Sequence, residues 1–108
     1  MPTYNEATTI VGALEGLADQ GADDVVVVDG GSPDGTAALA ARTGWVRVET
    51  APRGRGVQQN RGAAVAAGDV LLFLHADCRL EAGAIAALRR FVGRHPRVPG
   101  GCFRMRVA

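Results

Sequence analysis

Two stretches of this chain are apolar without alternation, VVVV at residues 25–28 and VLLFLHA at 70–76. Such a run predicts a strand covered on both faces, as in a parallel sheet. The first run breaks on Asp29 and the second on Asp77, with His75 two places before it. Elsewhere the period is helical. Ile10, Leu14 and Leu17 repeat at helical spacing within residues 6–20, and Gly21 is a natural stop. Ser32 and Pro33 predict the start of a second helix, which runs through Ala37 to Arg42 and ends at Gly44. WVRVE at 45–49 alternates, which predicts a short strand nearer the sheet edge. After the APRGRG loop at 51–56, VQQNRGAAVAA predicts a helix closed by Gly68. From Glu81 another helix sets Ile85, Leu88 and Val92 along one side, and GGCFRMRVA predicts a final strand. Strands alternating with helices predict an α/β fold: an open, mostly parallel sheet with helices on both faces and right-handed crossovers.

Both ends read as cut. Residues 2–6, PTYNE, are loop and helix-start residues that normally follow a strand, yet only Met1 precedes them. A parallel sheet without an internal strand leaves two rows of backbone groups unpaired. At about 1–3 kcal/mol per buried unpaired group, several would rival a total stability of about 5–15 kcal/mol. Either an oligomer or partner chain completes the sheet, or the natural protein starts further upstream.

Composition narrows the class. The chain has 108 residues, 47% hydrophobic and 21% charged, enough for one small globular domain or part of a larger one. Its net charge of +1 makes no electrostatic case for nucleic acid or a membrane surface. All twelve basic residues are arginine. Cys78 and Cys102 fit neither a metal spacing nor a disulfide framework, and read as reduced thiols. No apolar run reaches membrane-spanning length, and no signal-peptide layout opens the chain. These features together predict a cytoplasmic location.

In open α/β sheets, ligands bind outside the carboxyl ends of the strands. Asp29 and Asp77 both stand at such ends, as would the PTYNE loop after an upstream strand, so three loops can meet on one rim. A strand-end aspartate is often only a loop or helix cap, and a pair at corresponding ends raises the functional reading. A hard cation needs few protein carboxylates when phosphate oxygens and water complete its shell. Asp77 alone can therefore hold Mg²⁺ or Mn²⁺ against a diphosphate.

PTYNEA, then VVVVDGGSPDGT, then GRGVQQNRGAAVAAGDVLLFLHAD resemble the inverting glycosyltransferases of family two, which have the GT-A fold. GGS-DGT with LHAD further resembles a subgroup associated with arsenosugar biosynthesis. The resemblance implies that residues 1–108 are the donor-nucleotide-binding portion of a transferase that uses a nucleotide-diphosphate sugar, a UDP-sugar above all. It places Thr3 and Tyr4 in the loop lining the base pocket, Glu6 beside it, and Asp29 on the base. Asp77 takes the metal-ligand role of the family's DxD motif. His75 stands where that motif's first aspartate usually does, in place of a ribose contact. Arg55, on a Gly-Arg-Gly turn, matches a phosphate or base contact, while Gln59 occupies a place where many relatives carry arginine. The general base that deprotonates the acceptor comes, in the family, from the second half of the domain.

Three other readings compete. A non-catalytic nucleotide-sugar-binding fragment needing a partner fits the missing base and first strand. A phospho-acceptor domain would need a partner lysine, and the chain has none. A dinucleotide-binding fold fails because the glycine spacing around Arg55 is wrong and no strand immediately precedes it.

Overall fold

The computed structural model describes residues 1–107. Its sheet has three strands in spatial order β1-β2-β3: β1 (Pro2–Thr3), β2 (Val26–Asp29) and β3 (Arg47–Thr50). All pairing is parallel, with Pro2 opposite Val28 and Val28 opposite Glu49. The helices are α1 (Ile10–Ala18), α2 (Thr36–Arg42), α3 (Arg55–Val65) and α4 (Ala84–Arg94).

The four-valine run becomes the central strand because each face has an apolar cover. Val27 is fully buried and joins Ile10 and Leu14 of α1, Ala40 of α2 and Ala76 in one core cluster. Side chains alternate along a strand, so Val26 and Val28 face the other way, toward α3. There Gly62 lets the helix come close: a Cβ at that position would sit 3.3 Å from Val28 Cγ2. Helices thus cover both faces, as the valine run requires. β3 is the edge strand, as its alternation suggested.

The element starts differ from expectation for local reasons. Helix α1 begins at Ile10 rather than near residue 6, because the Glu6 carbonyl first accepts the amides of Thr9 and Ile10 in a turn. Helix α2 begins at Thr36 rather than at Ser32 and Pro33. The Ser32 amide is held by Asp29 instead, and Asp34 accepts the Thr36 amide at 3.1 Å.

The two larger departures are strands that do not form. Residues 71–75 carry no strand pairing, and Phe73 is 50% exposed, with Val70 and Leu71 nearly as open. Residues 99–107 are likewise unpaired, with Phe103, Met105 and Val107 exposed. A strand forms only beside an edge that offers it hydrogen bonds. The 70–74 segment lies across an apolar groove from Met1, Val25 and Val26. The edge on that side is β1, two residues long. The segment therefore has the right composition and no partner.

Candidate functional site

The PTYNE residues do more than precede a helix. Pro2 and Thr3 are themselves strand β1, and the chain leaves the sheet at Tyr4 directly above its carboxyl edge. Asn5 turns with φ of 53°, a left-handed conformation that asparagine tolerates better than most residues. Its amide is held by the Ser32 hydroxyl at 2.9 Å, the Glu6 amide by Thr36 Oγ1 at 3.0 Å, and the Ala7 amide by Asp34 Oδ2 at 3.1 Å. The first loop is thus fastened to the loop after β2.

Asp29 organises this junction. It is 2% exposed. One carboxylate oxygen accepts the hydroxyls of Thr3, at 2.9 Å, and Ser32, at 2.6 Å. The other accepts the amides of Gly31, at 3.0 Å, and Ser32, at 2.8 Å. Four bonds fill what a carboxylate can accept. Asp29 therefore meets the site from below, through Thr3 and the glycine loop.

Above this floor lies a pocket of about 260 Å³, lined by Thr3, Tyr4, Glu6, Arg53, Arg55 and His75, with Gln58 at its base. Three separate segments converge there: residues 2–6, residues 53–58 and His75. The Arg53 guanidinium carbon stands 3.7 Å from the centroid of the Tyr4 ring, a cation–π stack. Glu6 Oε2 accepts the Thr9 hydroxyl at 2.8 Å, so its carboxylate also anchors the turn into α1.

The glycine-arginine loop is positioned by Gln58, which is 4% exposed. Its amide nitrogen donates to the carbonyls of Thr3, at 2.8 Å, and Val28, at 2.9 Å. Its oxygen accepts the Gly54 amide at 3.1 Å. One side chain thus ties β1, β2 and the loop carrying Arg53 and Arg55. Sequence reasoning passed over both Gln58 and Arg53. The signal for Gln58 was its place one turn before Gly62, on the sheet-facing stripe of the helix; Arg53 offered no comparable signal.

The site's geometry can be set beside known proteins. Residues 1–106 match the family described as Glycosyl transferase family 2. The chain belongs to glycosyltransferase family 2. It is 36% identical over 104 residues to a PGL/p-HBAD biosynthesis glycosyltransferase of Mycobacterium bovis BCG, covering 88% of this chain and 41% of that protein. It is 46% identical over 55 residues to the glycosyltransferase AglJ of Haloferax volcanii, covering 51% of this chain and 18% of that one. The chain thus spans well under half the length of these curated relatives. No solved structure matches it.

Of the family-derived positions, Thr3, Tyr4, Glu6, Arg55 and His75 line one pocket, and Asp29 is bonded to its wall. Asp77 lies two residues past His75 with its side chain exposed. Its carboxylate makes no ion pair among the described residues and meets only the Cys78 thiol, at 3.5 Å. Burial, and then the Asp77 carboxylate, push the Cys78 thiol up, so it stays protonated. No group of three or more His, Cys, Asp or Glu side chains suited to a metal occurs among the described residues. A protein cage for a metal is therefore not what these residues build. They fit a cation held by one carboxylate and completed by diphosphate oxygens and water. No helix of the described residues is long and apolar enough to cross a membrane.

Proposed function

We propose that residues 1–108 form the donor-nucleotide-binding portion of a glycosyltransferase that takes its sugar from a nucleotide diphosphate, a UDP-sugar first among those to test. The supporting observation is the convergence of three segments on one 260 Å³ pocket at the carboxyl edge of a parallel sheet. That volume is just below the range of about 300–1,000 Å³ usual for ligand sites, and suits a nucleoside with the diphosphate reaching outward. In this reading Tyr4 presents a ring face for the base, and Arg53 stacks against it or moves aside as the base enters. Thr3 and Asp29 hold the pocket wall, Glu6 borders it, and His75 donates or accepts a hydrogen bond at the ribose.

Arg55 opens α3 on the same pocket and faces the diphosphate. Asp77, exposed and without an ion pair among the described residues, holds Mg²⁺ or Mn²⁺. Such a metal supplies Lewis-acid neutralisation of the charge that grows on the departing nucleoside diphosphate. The GGS-DGT and LHAD likeness points to the arsenosugar subgroup as the first acceptor chemistry to screen, and the soluble reading of the sequence points to the cytoplasm.

Calorimetry with UDP, with and without Mn²⁺, tests this. Binding should be lost or strongly weakened in Tyr4→Ala, and Asp77→Ala should retain metal-free binding while losing the gain from Mn²⁺. Equal metal enhancement in Asp77→Ala would remove that residue from the proposal. Absence of any nucleotide binding by a folded chain would remove the proposal itself.

A further inference from the structure

Arg53 covers one face of the Tyr4 ring, its guanidinium carbon 3.7 Å from the ring centroid. At that separation the two groups are in contact, so no base can lie between them. A base stacking on that face must take the guanidinium's place.

What can move is narrowly defined. A Cβ at Gly30 would sit 3.2 Å from Arg53 Cα and 2.9 Å from Gln58 Oε1, so the loop backbone lies directly on the glycine turn after β2. The Gly54 amide is tied to the same Gln58 oxygen at 3.1 Å. The Arg53 backbone is thus pinned from two sides while its side chain is exposed, and only the side chain has to turn. Arg53 and Arg55 line the pocket together, and neither makes an ion pair among the described residues. Glu6, the acid in the same lining, is engaged by the Thr9 hydroxyl. A guanidinium displaced from Tyr4 is best repaid by an anion that the ligand itself brings.

From this geometry we infer that Arg53 is a specificity-determining residue: the base displaces its guanidinium from Tyr4, and the freed cation pairs with the ligand's diphosphate. The inference rests on the nucleotide reading above and adds what that pocket selects. A nucleoside costs the cation–π stack without replacing it. A nucleoside diphosphate supplies a charge-assisted bond, stronger than the exposed stack it replaces. One side chain thus occupies the base's seat in the empty pocket and favours phosphorylated nucleotides over nucleosides when the seat is taken.

Metal-free calorimetry with uridine and with UDP, on the wild-type protein and on Arg53→Ala, tests the exchange. Arg53→Ala should bind uridine about two- to fivefold more tightly, the size of an exposed cation–π contact. The same variant should bind UDP about tenfold or more weakly, the size of a hydrogen bond to a charged group. In the wild-type protein the Arg53 δ-methylene resonances, shifted upfield by the Tyr4 ring, should lose that shift when UDP binds. Uridine affinity unchanged or weakened in Arg53→Ala, UDP affinity unchanged, or an upfield shift that persists in the UDP complex would each overturn the exchange while leaving the nucleotide site in place. A wild-type protein that folds yet binds neither ligand would remove the site and this inference with it.

Discussion

Residues 25–28 and 70–76 carry the same kind of message and meet different fates. The first run lies between two strands and under helices on both faces, with Val27 wholly buried. The second, richer in large apolar side chains, stays unpaired and half open. Composition is not what separates them. The valine run has β3 on one side and a stub of β1 on the other, while the second run faces only the stub. Apolar runs state what a segment needs, and the neighbouring backbone decides whether it gets it.

The two regions should therefore answer mutation very differently. Leu14→Ala, in the core against Val27, should cost about 2–5 kcal/mol in urea unfolding, whereas Leu71→Ala should stay within about 0.5 kcal/mol. Comparable losses would mean that 70–76 is packed far better than its exposure shows. Gln58→Leu comes next. It leaves the Gly54 amide and the carbonyls of Thr3 and Val28 without this partner. At about 1–3 kcal/mol for a buried group left unmade, it should destabilise measurably and speed exchange at Gly54. A shape-preserving leucine that costs nothing would make Gln58 a bystander.

The Met1 amine gives a pH signature. Burial lowers it to about 6 from 8.0, so between those values the unfolded chain binds more protons than the folded one. Stability should then fall as pH drops from 8 to 6 and level off below, by at most roughly 3 kcal/mol for a shift of this size. Nα-acetylation should flatten that slope, and an unchanged slope would assign it elsewhere. The smallest effect is expected at Asp24, which accepts Arg47 at 2.6 Å and the Ala67 amide at 2.9 Å. The Arg47 guanidinium, then the amide, hold its carboxyl below the usual range. That contribution is present above the ordinary carboxylate pKa and lost as pH falls through the lowered one. Arg47→Met should shift the acid side of the unfolding profile slightly and leave neutral pH nearly untouched.

The sequence made the fold legible wherever the signal was local and its partners were present. The helical repeat of Ile10, Leu14 and Leu17 became a buried face, and the valine run became a central parallel strand. Ser32 and Pro33 misled because Asp29 captures the Ser32 amide first, a contact that capping preferences do not encode. At the site, Thr3, Tyr4, Glu6, Arg55 and His75 were singled out by motif position, and the fold brings them to one pocket. Asp29 was expected on the base, and its carboxylate accepts four protein bonds that hold the loop after β2 against Thr3. Arg53 gave no sequence signal and Gln58 only its place on the sheet-facing stripe of its helix, because their roles are tertiary: one needs the Tyr4 ring, the other two strands and a loop.

Nuclear magnetic resonance during titration with UDP and Mg²⁺ tests the site most directly. The account predicts saturable shifts at the amides of Thr3, Tyr4, Gly54, Arg55 and His75, with Ala63 and Leu88, which line the apolar groove beside residues 70–74, unmoved. Shifts centred on that groove, or none at the tyrosine loop, would contradict it.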